Sequence, residues 1–187
     1  TLGKAGFAQS YTHFTWQTSR NDLEQFVLRH AYQWAEELRP NFFANTPDIL
    51  HESLQHGGPP MFASRLVLAA TLSPSYGIYS GYERFENVPV REGSEEYLDS
   101  EKYEIKERSL DGAPLLPLIR LLNEARRSNP ALQHLASVEF LDTRNDGLIA
   151  YAKRHAGNTV ITVVCLDAHH QQEGEVQVPW HLDLPQQ

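Results

Sequence analysis

Between residues 7 and 16 the side chains of Phe, Tyr and Thr come in near alternation, a period of two that predicts a strand. The period then lengthens. Leu23, Phe26, Val27, His30, Ala31 and Trp34 share one face of a helix expected over residues 23–38, capped by Asn21-Asp22 and ended by Pro40. Residues 42–45 read as a short strand, Pro59-Pro60 open a helix that runs to residue 72, residues 75–80 read as a third strand, and Pro114 opens a helix to residue 127. Past Asn129-Pro130 the pattern changes. Residues 138–141, 148–153, 159–166 and 175–178 are short apolar runs between turn clusters such as residues 144–147 and 156–158, which predicts an antiparallel all-β module.

Strands followed by helices, in the order β-α-β-α-β-loop-α, imply a parallel sheet with helical crossovers. The boundary with the all-β part is expected near residues 129–137. The chain of 187 residues can bury a sizeable core but is too short for a whole eight-fold β/α barrel, which takes about 250. Its longest apolar run, near residues 66–72, is far short of the roughly 20 needed to cross a bilayer, and no basic-then-apolar leader opens it. A soluble protein is expected. A net charge of −8 without a Lys/Arg cluster argues against nucleic acid and anionic membranes as partners. The single Cys165 excludes an internal disulfide and a cysteine-based metal site, which points to a reducing cytoplasm.

Chemistry concentrates in two strings. Residues 42–48, Phe-Phe-Ala-Asn-Thr-Pro-Asp, run from an apolar strand into a polar tip that ends on the carboxylate of Asp48, the place where α/β barrels carry catalytic groups. Asn-Thr-Pro-Asp is equally good turn chemistry, so Asp48 also reads as a turn or helix N-cap residue. Asn45 admits two readings as well: it orients a hydroxyl or Asp48, or it satisfies local backbone at a strand end. Residues 91–103, Arg-Glu-Gly-Ser-Glu-Glu-Tyr-Leu-Asp-Ser-Glu-Lys-Tyr, sit in a segment 83–107 with nine acids against four bases, which alone reads as a solvated loop. That segment is long for a structureless connection, and such loops tend to be functional or disordered. No histidine pair among His51, His56, His169 and His170 has a convincing third ligand, and Trp16, Trp34, Trp180 and Cys165 read first as core.

These strings, with Tyr-Thr-His-Phe-Thr-Trp at 11–16, Ala-Ala-Thr-Leu-Ser-Pro at 69–74 and Gly-Ile-Tyr-Ser-Gly-Tyr-Glu at 77–83, resemble the C-terminal part of the bacterial α-1,4-glucan:maltose-1-phosphate maltosyltransferases, members of the α-amylase superfamily (glycoside hydrolase family 13). The resemblance covers nearly the whole chain. It implies that residues 1–130 are the sixth to eighth units of a (β/α)8 barrel and that residues 135–187 begin a C-terminal β-sandwich. It implies that Asp48 is the transition-state stabiliser and that Lys102 and Tyr103 bind the donor sugar; Asn45, on its first reading, is a further substrate-binding candidate beside them. Where much of the superfamily has His before this Asp, this chain has Pro47, a departure that fits the maltosyltransferases. The nucleophile and acid/base implied by the resemblance would precede Thr1, so the chain alone is expected to be inactive and both ends to be internal cuts. The implied substrates are α-maltose 1-phosphate and an α-1,4-glucan. No metal or organic cofactor is implied, and the exposed edges of a partial barrel lead to an expected homodimer. An α-glucan hydrolase and a non-catalytic glucan-binding module remain as alternatives.

Overall fold

The computed structural model describes residues 3–102, 104–182 and 184. Strand β1 (Gln9–Tyr11) passes through one turn of 3-10 helix (His13–Trp16) into helix α1 (Arg20–Leu28). There follow β2 (Arg39–Phe43), α2 (Glu52–Leu72), β3 (Tyr76–Gly77), a long loop and α3 (Leu116–Ser128), then β4 (Val138–Leu141), β5 (Leu148–His155) and β6 (Asn158–Cys165). The first three strands make a parallel sheet in the order β1-β2-β3, with Gln9 opposite Arg39 and Phe42 opposite Tyr76. The last three make an antiparallel sheet in the order β4-β5-β6, with Val138 opposite Lys153 and Tyr151 opposite Thr162.

Helix α2 lies between the two sheets, and its sequence says why. After a kink at Gly58, whose φ of 58° only glycine takes readily, the helix is apolar on all sides. Phe62, Leu66, Leu68, Ala69, Ala70 and Leu72 are all buried, the mark of a helix covered all round rather than on one stripe. On one side it packs beneath the parallel sheet. On the other, Ile149, Tyr151 and Lys153 of β5 share one face by the two-residue period and meet it: the Tyr151 and Thr71 hydroxyls are 2.5 Å apart, and the Lys153 ammonium donates to the Leu72 carbonyl at 3.2 Å. Ala150 and Ala152 face the opposite way, into a small cluster with Leu141 and Leu182.

Several expectations need correction. The strand expected over residues 7–16 stops at Tyr11, because the buried Arg65 guanidinium draws in the carbonyls of Phe14 and Gln17, each at 2.5 Å, and winds His13–Trp16 into a turn. The cap of α1 is Ser19, not Asn21-Asp22: its hydroxyl accepts from the Asp22 amide. That helix ends early in a π-turn, Arg29–Gln33, where the Trp34 amide reaches back five residues to the Arg29 carbonyl. The extra residue rotates Trp34 off the buried face, leaving it 42% exposed, and Pro40 falls inside β2. Residues 175–178 form no strand. They run across the outer face of the antiparallel sheet, where Val176 packs against the cluster with Leu182, held by a hydrogen bond from the Gln177 amide to the Asp142 carbonyl and by an ion pair between Glu175 and Arg144. Among the described residues the all-β part is therefore a single three-stranded sheet, with α2 on one face and this strap on the other.

Two basic side chains cap the C-terminal turn of α2. Arg126 of α3 donates to the carbonyls of Ala70, Ser73 and Pro74, and Lys153 donates to that of Leu72. Among the described residues no helix is long and apolar enough to cross a membrane.

Burial, reinforced by the nearby Arg126, pushes the Lys153 ammonium down to about 7. Between that value and the ordinary lysine value of 10.5, the unfolded chain holds a proton that the folded chain has released. Stability therefore climbs with pH through this window, by up to about 1.4 kcal/mol per pH unit, and is lost as pH falls through about 7. In urea unfolding at several pH values, Lys153→Met should lack this slope; parallel profiles for the two proteins would contradict the assignment.

Candidate functional site

Asp48 stands at the tip of a two-residue turn just beyond β2. The Thr46 and Ile49 amides and carbonyls exchange two hydrogen bonds of 3.2 Å, which close the turn and push Pro47 and Asp48 outward. The Asp48 side chain is 65% exposed. It does not cap α2, since that role belongs to His51, whose Nδ1 accepts from the Ser53 amide. Burial lowers the His51 pKa and keeps Nδ1 free to accept.

Asn45 precedes this turn and is buried. Its Oδ1 accepts from the Tyr79 amide at 2.8 Å, and its Nδ2 donates to the Tyr97 hydroxyl at 2.6 Å. Of the two readings of Asn45, the geometry is that of a strand-end residue satisfying its surroundings, and it joins β2 to the segment after β3 and to the long loop. The loop itself is tied down. Arg108 grips the Glu86 carboxylate through two nitrogens at 3.0 and 3.1 Å, reaches Glu101 at 3.0 Å and lies over the Tyr79 ring. The Glu86 carboxylate is the first cause that raises the Arg108 pKa, while the Tyr79 hydroxyl leads in lowering that of Glu101. Gly81 makes this possible: at φ 99° it passes so close to Glu86 that a Cβ would stand 2.4 Å from the carboxylate.

Within the loop, residues 88–98 fold back on themselves. The Leu98 amide donates to the Val88 carbonyl and the Val90 amide to that of Glu96, while the Leu50 amide donates to the Glu95 carbonyl at 2.6 Å. This brings the acidic string against the Asp48 turn. The Lys102 ammonium lies 3.0 Å from Asp48 and 3.8 Å from Glu96. Tyr103, the other residue expected beside it, lies outside the described residues.

Facing Asp48 is a cleft of about 350 Å³, lined by Tyr11, His13, Trp16, Thr46 and Pro47 among others. Trp16 is 39% exposed, and its indole N–H donates to both Glu95 carboxylate oxygens at 2.9 and 3.0 Å. An aromatic face, a carboxylate and an ammonium at one rim make a combination suited to a sugar: the ring covers a C–H face while the charged groups take hydroxyls. The expectation that Trp16 is core is thus overturned, as it is for Trp34 and for Trp180, which is 92% exposed. Glu83 and Glu86 are engaged away from Asp48, Glu83 with the Gly81 amide and Glu86 with Arg108.

A larger cleft, about 760 Å³, lies between the start of α1 and the antiparallel sheet, with Arg20, Asp142 and Asp146 in its wall. Among the described residues it has no aromatic lining, and Arg20 is already committed to Glu24 and the Thr143 hydroxyl. Among the described residues no group of three or more His, Cys, Asp or Glu side chains is arranged to hold a metal ion.

Sequence reasoning missed Glu95, Glu96, Arg65 and Arg108. The signal for Arg65 was present, since a single arginine in a long apolar helix must satisfy its charge inside.

Residues 140–186 match the family model described as GLGE, C-terminal. The whole chain aligns at 53% identity with alpha-1,4-glucan:maltose-1-phosphate maltosyltransferase 1 of Streptomyces coelicolor, covering 28% of that protein. It aligns over 92% of its length with the maltosyltransferases of Mycolicibacterium smegmatis, at 54% identity, and Mycobacterium tuberculosis, at 52%, covering 26% and 25% of them. The chain thus spans about a quarter of the length of these relatives. Among solved structures it resembles a mutant isomaltulose synthase from Erwinia rhapontici in complex with D-glucose (TM-score 0.58, 14% identity, 79% of this chain and 38% of the other). It also resembles the maltogenic alpha-amylase AmyB from Thermotoga neapolitana (TM-score 0.54, 13% identity, 87% and 39%). At such identities these two speak to fold alone.

Arg65 anchors the turn that carries His13 and Trp16, so Arg65→Met should destabilise the protein by about 3 kcal/mol and leave two carbonyls without donors. The emission of Trp16, taken as the difference from a Trp16→Phe variant, should move to longer wavelength. An unchanged spectrum would separate Arg65 from the cleft.

Proposed function

We propose that the chain is part of an α-1,4-glucan:maltose-1-phosphate maltosyltransferase, like the relatives with which it aligns over all or nearly all of its length, and that it supplies the third carboxylate and the donor-holding side chains of such an enzyme. In this reading the reaction moves a maltosyl group from α-maltose 1-phosphate to the non-reducing end of an α-1,4-glucan, such as glycogen, in the cytoplasm, and releases phosphate. Residues 1–130 are the sixth to eighth β/α units of the catalytic barrel, and residues 135–187 begin the C-terminal sandwich. The nucleophile and the acid/base stand on polypeptide outside these residues.

The observation that carries the reading is the meeting of Asp48 and Lys102, 3.0 Å apart, at the rim of the cleft that holds Trp16. They come from segments far apart in sequence, and nothing in the fold's stability calls for a half-exposed pair at this place; such pairs contribute little. A retaining transfer needs one carboxylate as nucleophile and a second as acid/base, and hydrogen bonds to sugar hydroxyls that strengthen as the ring flattens add several kcal/mol more. Asp48 supplies such bonds. Because they are stronger in the transition state than in the bound ground state, they raise turnover rather than affinity. Lys102, with three N–H donors, and Tyr103 hold the sugar of the donor farther from the scissile bond. Asn45 acts one step back, fixing the turn and the loop to each other through Tyr79 and Tyr97.

In the enzyme that carries this chain, Asp48→Asn should lower kcat for phosphate release from maltose 1-phosphate by about a thousandfold, with maltose affinity changed by less than about fivefold. Undiminished turnover would remove Asp48 from the reaction. Glucan breakdown that needs no phosphate donor would replace transfer with hydrolysis.

A further inference from the structure

Glu96 stands beside the Asp48–Lys102 pair with no role in the reading above. Its backbone is fixed on both sides, with its amide donating to the Ser94 hydroxyl at 3.1 Å and its carbonyl accepting from Val90 at 2.8 Å. The neighbouring Glu95 turns to Trp16, while Glu96 turns to Lys102. One of its carboxylate oxygens, Oε1, is enclosed and has no hydrogen-bond partner among the described residues, and the Lys102 ammonium stands 3.8 Å from it. An enclosed carboxylate oxygen is costly to leave unmatched. Here it is held just beyond hydrogen-bond reach of an ammonium that is engaged with Asp48.

We propose that Glu96 is a positioning residue that takes over Lys102 when a sugar enters. This inference rests on the functional reading above. The ammonium covers the Asp48 carboxylate at 3.0 Å, so a sugar hydroxyl that needs Asp48 must first displace it. A short swing of the flexible lysine chain brings the ammonium onto the waiting Glu96 oxygen, which keeps its charge matched. From there the ammonium can still donate to the sugar, and Asp48 is uncovered. A second carboxylate beside the ammonium lowers the cost of the displacement, whereas with Asp48 alone the sugar would compete against the ion pair with nothing to receive the lysine.

The test is maltose binding by calorimetry to the whole enzyme in four forms: wild type, Glu96→Gln, Lys102→Met and the double variant. Glu96→Gln keeps the shape and removes the charge. It should weaken maltose about tenfold while leaving kcat for maltosyl transfer at saturating donor within about twofold, and it should add nothing once Lys102 is Met. Glu96→Asp, which keeps the charge but shortens its reach, should fall between wild type and Glu96→Gln. Unchanged affinity in Glu96→Gln, or an equal loss with and without Lys102, would overturn the role. If the four affinities behave as expected and the wild type transfers no maltosyl group, the reaction assigned above fails and the Lys102–Glu96 coupling stands.

Discussion

The C-terminal turn of α2 is the point on which the rest of the structure depends. A helix that ends inside a core leaves carbonyls without donors, and here they belong to Ala70, Leu72, Ser73 and Pro74. Arg126 from α3 and Lys153 from the antiparallel sheet satisfy them, so one helix end ties together segments from both halves of the chain. The main apolar cluster follows the same line, running from Phe14 and Phe42 through Leu66 and Leu72 to Ile149, Tyr151 and Val164 without a break.

From that pillar the site is built outward. Arg65, two turns before the helix end, turns the chain at His13–Trp16 and so presents Trp16 to the cleft. At the other end of α2, the Gln55 side chain donates to the carbonyls of Leu50 and Ser94 and pins the acidic loop beside the Asp48 turn. Asn45, Tyr79, Tyr97 and Arg108 complete the attachment. The reactive-looking side chains are exposed and lie on turns and loops, while those that hold them in place are buried, which is how a rigid scaffold positions mobile chemistry.

Much of this was legible in the sequence. The order of strands and helices, the parallel pairing and the three strands at 138–141, 148–153 and 159–166 follow from periodicity and turn residues, as does the turn that carries Asp48. What was not legible depends on contacts distant in sequence. Alternation continues through residues 12–16, yet the strand ends because Arg65 captures two carbonyls there. Trp34 obeys helical spacing, yet a π-turn rotates it outward. Residues 175–178 have strand composition but cover a sheet face instead of extending its edge. At the site, the acidic loop looked solvated because local composition cannot show that Arg108, Tyr97 and Glu95 each have a partner waiting elsewhere.

The central claim is that Asp48 and Lys102 meet in order to hold a sugar. The structure of the whole enzyme with maltose bound tests it most directly. The account predicts maltose hydroxyls on the Asp48 carboxylate and the Lys102 ammonium, with a sugar ring against the face of Trp16. Maltose bound elsewhere, with the Asp48–Lys102 pair intact and the cleft beside Trp16 empty, would contradict it.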